Sequence, residues 1–334
     1  MSPALETMML AFSGDGELPE RALFLGAEAH DGLREWGDLT GWQPFKPKAD
    51  VWDAAGFSRS DGLPAGRWPV VLVLPGKSKE ETLVWFAAAR DRLEAGGRLV
   101  VAMPNSAGAG RFEKELRKAT GGVESLQKHK CRAFSAVDDG TWDESVFAAW
   151  RELGGRRVVE GTHFVTEAGV FSCGHVDSGS RLLAGHLPGN LRGSVADLGA
   201  GWGVLADTVL RNCGKVERVD LYEADARALD CARENLAEFG GRAGFHWLDV
   251  AAGVPGEYDA VVMNPPFHVG QATDVGLGRA FLTSAAGCLR TGGRLFLVAN
   301  RQLPYEAALD GLGMSWRQLA EDATFKVILA DKRR

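Results

Sequence analysis

VADLGAGWGVLA, residues 195–206, runs an apolar strand into Asp197, then through Gly199, Gly201 and Gly203, and then into a helical pattern. Glycines at such a strand-to-helix turn permit positive φ and let a ligand approach the backbone. The spacing is GxGxG, which departs from the GxGxxG of dinucleotide sites. Asp197, just ahead of the loop, can accept a hydrogen bond from a positively charged ligand or from loop amides.

Strand and helix signals alternate downstream of this loop. ERVDLYEAD (217–225) is a strand leading into a helix on which Leu229, Ala232, Leu236 and Phe239 share one face. HWLDV (246–250), YDAVVMN (258–264) and GRLFLVAN (293–300) are further strands. The alternation predicts a parallel, doubly wound sheet, which binds ligands at the C-terminal ends of its strands. Two acids fall at such ends. Glu223 closes the strand after the loop, where a carboxylate can take both hydroxyls of a ribose. Asp249 closes the next, where it can meet the exocyclic amine of adenine.

The chain also repeats itself. LEAGGRLVVAM (93–103) matches LRTGGRLFLVA (289–299), and WPVVLVLPG (68–76) matches YDAVVMNPP (258–266). Each copy reads as a strand, a helix, a Gly-Gly turn and a second buried strand. Two tandem α/β units follow, with the boundary between Asp138 and Arg157, giving domains 1–150 and 151–334. The first copy lacks the chemistry of the second. Its RALFLGAE (21–28) has one glycine and no following GxG, and Leu74-Pro75-Gly76-Lys77 stands where the second has Asn264-Pro265-Pro266-Phe267.

The NPPF motif follows an apolar strand directly. Two prolines cannot continue a central strand, so the chain turns rigidly at the sheet edge. The Asn264 side-chain oxygen and the Pro265 carbonyl can then converge on one planar amine, whose two N–H groups match two acceptors. Phe267 offers a face for a flipped base. His268 reads as a pocket wall or loop anchor rather than a base, and His163, His175 and His186 lack metal spacing. Upstream, Ser178 or Ser180 can cap a helix, and the segment around Asp177 and Ser180 is placed to close over a cofactor.

Composition narrows the setting. The 334 residues carry a formal net charge of −6, which argues against broad charge-driven nucleic-acid binding but not against a local basic patch. The five cysteines are scattered without a CxxC pair, so the expectation is a reducing cytoplasm, no disulfide framework and no metal. No apolar run approaches the roughly 20 residues needed to span a bilayer, and no basic n-region precedes a long apolar stretch.

The loop with Glu223 and Asp249 resembles class I methyltransferases that use S-adenosylmethionine. The resemblance implies that Gly199–Gly203 hold the methionine part, Glu223 the ribose and Asp249 the adenine. GVFS (169–172), DSGSRLL (177–183), DLGAGWG (197–203), NPPFHVG (264–270) and ANRQLPY (299–305) occur in the order of the bacterial ribosomal RNA guanine-N2 methyltransferases, in particular the small-subunit methyltransferase C family. That resemblance implies an α/β fold of two tandem class I methyltransferase-like (Rossmann-like) domains, the first degenerate. It implies methyl transfer to guanine N2 in 16S rRNA by a cytoplasmic monomer acting on rRNA or the small ribosomal subunit. Residues 1–150 would support the catalytic domain and grip RNA through Lys77, Lys79, Arg98 and Arg111. The large-subunit enzymes share NPPF and the tandem layout, so 23S rRNA stays open. Another planar amine (adenine, a glutamine amide, a small molecule) also stays open, as does a non-catalytic RNA-binding or assembly factor.

Overall fold

The computed structural model describes residues 2–13, 18–266, 268–269, 272–273 and 275–333, without the side chains of residues 268, 269, 272, 273 and 275. The chain divides into two compact units, Met1–Gly155 and Arg156–Arg334.

Unit 1 builds one seven-stranded sheet. Its strands are β1 (Arg21–Leu25), β2 (Asp38–Trp42), β3 (Ser58–Ser60), β4 (Trp68–Val73), β5 (Leu93–Pro104), β6 (Glu124–Lys128) and β7 (Cys131–Val137), in the spatial order β3-β2-β1-β4-β5-β7-β6. Its helices are α1 (Pro3–Met9), α2 (Lys46–Ala54), α3 (Lys79–Asp91), α4 (Ala109–Thr120) and α5 (Glu144–Glu152). Apolar clusters lie on both faces of the sheet, so the central strands β1, β4 and β5 are buried on either side.

Unit 2 opens with a short pair, β8 (Arg157–Val158) and β9 (Val165–Thr166), and helix α6 (Ser178–Ala184). Then come β10 (Arg192–Leu198), α7 (Val204–Asn212), β11 (Lys215–Glu223), α8 (Ala226–Asn235), β12 (Ala243–Trp247) and β13 (Tyr258–Met263). After the short strands β14 (His268–Val269) and β15 (Ala272–Thr273) follow α9 (Val275–Cys288), β16 (Leu289–Asn300), α10 (Tyr305–Gly311), β17 (Met314–Glu321) and β18 (Phe325–Lys332). The large sheet has the order β12-β11-β10-β13-β16-β18-β17, the same topology as unit 1. Among the described residues no helix is long and apolar enough to cross a membrane, and no three His, Cys, Asp or Glu side chains are placed to hold a metal ion.

Three sequence expectations need correction. The sheets are mixed rather than wholly parallel, because β7 and β18 insert antiparallel beside β5 and β16. The hairpin joining β6 to β7 turns through His129 and Lys130 at positive φ, without the Asn-Gly signal that marks such turns in a sequence. The Gly-Gly pairs do not precede their strands but bulge inside them. In β5, Trp68 pairs with Leu93 and Val70 next with Arg98; in β16, Tyr258 pairs with Leu289 and Ala260 next with Arg294. Gly96 and Gly292 carry φ of +78° and +79° at these bulges, where a side chain would be strained. Finally, α8 ends at Asn235, so Leu236 and Phe239 pack from a 3-10 turn that breaks at Gly240.

Candidate active site

The glycine loop lies where β10 hands over to α7. Gly199 and Ala200 donate their N–H groups to the Tyr222 carbonyl at 2.8 and 3.1 Å, folding the loop across the end of β11. Gly199, Gly201 and Gly203 adopt φ of +72°, +54° and +95°, so each needs the freedom that only glycine has cheaply. A β-carbon at Gly199 would stand 3.1 Å from Phe281, whereas at Gly201 nothing lies within 4 Å. Gly201 therefore leaves space on its cavity side.

That cavity, partly open to solvent, is lined by Phe171, Asp177, Ser180, the glycine loop and Asn264. Asp197 lies under the loop, fully buried. Its Oδ2 accepts the Ala206 N–H at 3.0 Å, and its Oδ1 has no partner among the described residues. Burial drives the Asp197 carboxyl up to about 8; the Ala206 N–H opposes this and the Glu223 carboxylate adds to it.

Asn264 sits just beyond β13 and faces this cavity. Its Nδ2 donates to Asp177 Oδ2 at 2.8 Å and to Ser180 Oγ at 2.9 Å. Both amide hydrogens are thus spent on acceptors at the N-terminal end of α6, which settles which way the amide points and leaves Oδ1 without a partner among the described residues. Asp177 also caps α6 by accepting the Ser180 N–H at 2.8 Å. The cap is thus Asp177, not Ser178 or Ser180. A carboxylate suits the place better than a hydroxyl because it can serve the helix end and the Asn264 amide together.

Glu223 ends β11 half-buried. Its Oε2 accepts the Gly201 N–H and its Oε1 the Asp225 N–H, each at 2.8 Å. It braces the glycine loop and keeps lone pairs for two hydroxyls. Burial raises its carboxyl, opposed by the N–H groups of Asp225 and Gly201. Asp249 lies two residues past β12, where its carboxylate accepts the Ala251 N–H at 2.9 Å. Pro265 is buried and Pro266 exposed. Phe267 and the His268 side chain lie outside the described residues.

Two supports carried no sequence signal. Trp202 donates Nε1–H to the Phe171 carbonyl at 3.0 Å, fixing the GVFS segment on the cavity wall. Asn235, buried at the end of α8, accepts the Val165 N–H at 2.7 Å and donates to the Val165 and Trp202 carbonyls at 3.0 and 2.8 Å. One amide thereby ties β9, the glycine loop and α8 together.

Residues 161–329 match the model of the methyltransferase small domain. A ribosomal RNA small subunit methyltransferase C of Pseudomonas aeruginosa is 32% identical over 313 residues, covering 92% of this chain and 93% of the relative. The chain belongs to that family. The Pectobacterium atrosepticum member is 30% identical, covering 86% of this chain and 81% of its own. Among solved structures, a T. thermophilus 16S rRNA N2 methyltransferase in complex with AdoMet and guanosine is 27% identical, with a TM-score of 0.82 over 99% of this chain and 92% of that one.

The family's two-domain fold makes unit 1 an internal control. Strand pairing aligns the units residue by residue: Leu25 pairs with Trp42 and Val73, as Leu198 pairs with Tyr222 and Met263. Gly26 and Ala27 donate to the Trp42 carbonyl at 2.9 and 3.2 Å, repeating the turn at Gly199. By the same alignment Asp197, Gly201, Gly203, Glu223 and Asn264 become Phe24, Glu28, His30, Gln43 and Leu74. A β-carbon at Gly26 would meet the Leu74 carbonyl at 2.3 Å and Trp85 at 2.7 Å, so this turn is packed more tightly than its counterpart at Gly199, and Glu28 stands where unit 2 has the open Gly201. The turn survives in unit 1 because it belongs to the fold. The acceptor groups of Asp197 and Asn264 are replaced by apolar side chains, Phe24 and Leu74, and the Glu223 carboxylate by the neutral amide of Gln43.

Proposed function

We propose that this protein transfers a methyl group from S-adenosylmethionine to the exocyclic N2 amine of a guanine in 16S rRNA. The observation that carries the reading is the Asn264 amide, pinned by Asp177 and Ser180 with its oxygen free, on the same cavity as an open glycine loop. The residues fit the cofactor: the unpartnered Asp197 Oδ1 suits a cationic group, and the open side of Gly201 admits a ligand against the backbone.

When bound, S-adenosylmethionine supplies a methyl group on a sulfonium centre, a leaving group that needs neither metal nor strong base. Asp197 would meet its α-ammonium, Gly199, Gly201 and Gly203 would line the methionine part, Glu223 would take the ribose hydroxyls and Asp249 the adenine amine. Asn264 Oδ1 and the Pro265 carbonyl accept the two N–H groups of the guanine amine. Holding both draws the nitrogen out of conjugation with the ring and frees its lone pair for in-line attack. Positioning and hydrogen bonding carry the rate. Phe267, from its place in the NPPF motif, would be the face on which the base stacks. The protein acts as a monomer in the cytoplasm, and unit 1 supports unit 2 without binding cofactor.

Mass-spectrometric mapping of rRNA from cells with and without the gene tests this. We expect one N2-methylguanosine of 16S rRNA to disappear and to return on incubation with the purified protein. A loss confined to 23S rRNA would move the substrate, and unchanged rRNA would end the reading.

Asp197 gives the cofactor step a pH signature. A carboxyl raised to about 8 contributes stability that is present below its unfolded value near 4 and is lost as pH rises through about 8. A cation beside Oδ1 favours the ionised form, so binding below pH 8 must expel a proton. Calorimetry on the full chain in buffers of different ionisation enthalpy should show one cofactor per chain. It should also show proton release at pH 6.5 that fades above pH 8, with affinity rising by up to about tenfold per pH unit below that point. Two sites, or no proton release at pH 6.5, would contradict the assignment.

A further inference from the structure

Asp177 has an oxygen to spare. The Ser180 N–H and the Asn264 Nδ2 both donate to Oδ2, each at 2.8 Å. Among the described residues no donor or cation reaches Oδ1. Capping α6 and anchoring Asn264 therefore use one oxygen of the two. The side chain is half-buried and lines the cavity together with Asn264. A charged oxygen drawn partly out of water without a donor is a cost that a hydroxyl cap would not carry. Its neighbour is the Asn264 Oδ1, likewise without a partner among the described residues. One hydrogen bond thus holds two open acceptor groups side by side, one charged and one neutral.

We propose that Asp177 Oδ1 accepts the N1–H of the target base and so selects guanine among the bases that carry an amine. This rests on the reading above, in which Asn264 and Pro265 hold that amine. Adenine, cytosine and guanine all have one. On the Watson–Crick edge of adenine and cytosine, the ring nitrogen beside the amine is an acceptor. In guanine the nitrogen there is N1, a donor. With the amine held, a carboxylate oxygen alongside binds the N1–H of guanine and repels the lone pair of the other two. A hydrogen bond to a charged group of this kind is worth about 10–100-fold in affinity. A site built around such a donor rejects an analogue that lacks it, because the buried acceptor is left unpaired. A glutamine side-chain amide has no second donor beside its NH2 and gains nothing from the contact.

Asp177→Asn isolates this oxygen. An amide whose carbonyl oxygen takes the place of Oδ2 still accepts from Ser180 and Asn264, while its NH2 replaces Oδ1. The full chain, loaded with S-adenosylhomocysteine, is titrated with guanosine and with 2-aminopurine riboside, which keeps the 2-amine but has an acceptor at N1. Wild type should hold guanosine at least about tenfold tighter than 2-aminopurine riboside. In Asp177→Asn that ratio should fall at least about tenfold, through weaker guanosine binding, with S-adenosylhomocysteine Kd within about twofold of wild type. If Asp177→Asn does not fold, Asp177→Ser, which keeps a capping oxygen, decides by the same ratio. An unchanged ratio in a folded variant, or a wild type that holds both nucleosides alike, overturns the proposal and leaves Asp177 as cap and anchor. An unchanged ratio with weakened S-adenosylhomocysteine binding would make Asp177 a cofactor group instead. Wild-type protein that shows the Asp177-dependent ratio, yet methylates no guanine in rRNA, would sink the function reading and leave Asp177 as a reader of guanine. Methylation of rRNA guanine alongside an unchanged ratio would sink only the role of Asp177.

Discussion

Asn264→Ala should lower kcat for methyl transfer by about 10²–10³-fold while cofactor Kd stays within about threefold. The size follows from what is removed. A nucleobase amine is a poor nucleophile while its lone pair is shared with the ring, and one of the two acceptors proposed to hold its hydrogens would be lost. The selectivity follows from placement. Among the described residues the Asn264 side chain hydrogen-bonds through its Nδ2, to Asp177 and Ser180, and neither contact bears on the glycine loop. Asp177 also keeps its bond to the Ser180 N–H after the change, so α6 retains its cap. Single-turnover methylation with parallel calorimetry reads both quantities. Undiminished turnover would refute the role, and parallel loss of cofactor affinity would make Asn264 a binding group instead.

Gly201→Val should weaken cofactor binding by more than about 100-fold at a modest cost in stability, roughly 1–3 kcal/mol. Both halves come from one backbone position. With φ at +54°, a β-branched residue is strained in place. Yet no protein atom lies within 4 Å of its β-carbon, so the fold need not repack, and the new side chain enters the cavity. Gly203→Val is the useful contrast. Its β-carbon would meet Leu236 at 3.3 Å and Ala232 at 3.5 Å, so stability and binding should fall together. Thermal unfolding and cofactor titration of the two variants separate these outcomes. A Gly201→Val protein that bound the cofactor normally would show that the ligand does not approach the loop there.

Much of unit 2 was legible because it is written in local chemistry. Positive φ selects glycine, so the turn after β10 shows in three letters. Proline cannot continue a central strand, so NPP marks the end of β13. Buried strands read as apolar runs whatever their neighbours, which placed β10, β11, β13 and β16. The antiparallel ends of both sheets were not legible, since the direction of a strand depends on where its connection lands. The bulges at Gly96 and Gly292 read as turns because a residue at positive φ looks the same in either setting.

The sequence alone determined the α/β class, the tandem duplication, the absence of a GxG loop and of the acceptor Asn from the first copy, and the pairing of a glycine loop with an NPPF turn. Each of these is local in the chain or repeats within it. Only the tertiary structure decided which way the Asn264 amide faces, that Asp177 is its anchor, and that Glu223 braces the loop it was expected only to serve. These depend on partners tens of residues apart, 87 between Asp177 and Asn264 and 22 between Gly201 and Glu223. No spacing rule reaches across such gaps, because it is the folded sheet that brings strand ends distant in sequence to a common edge.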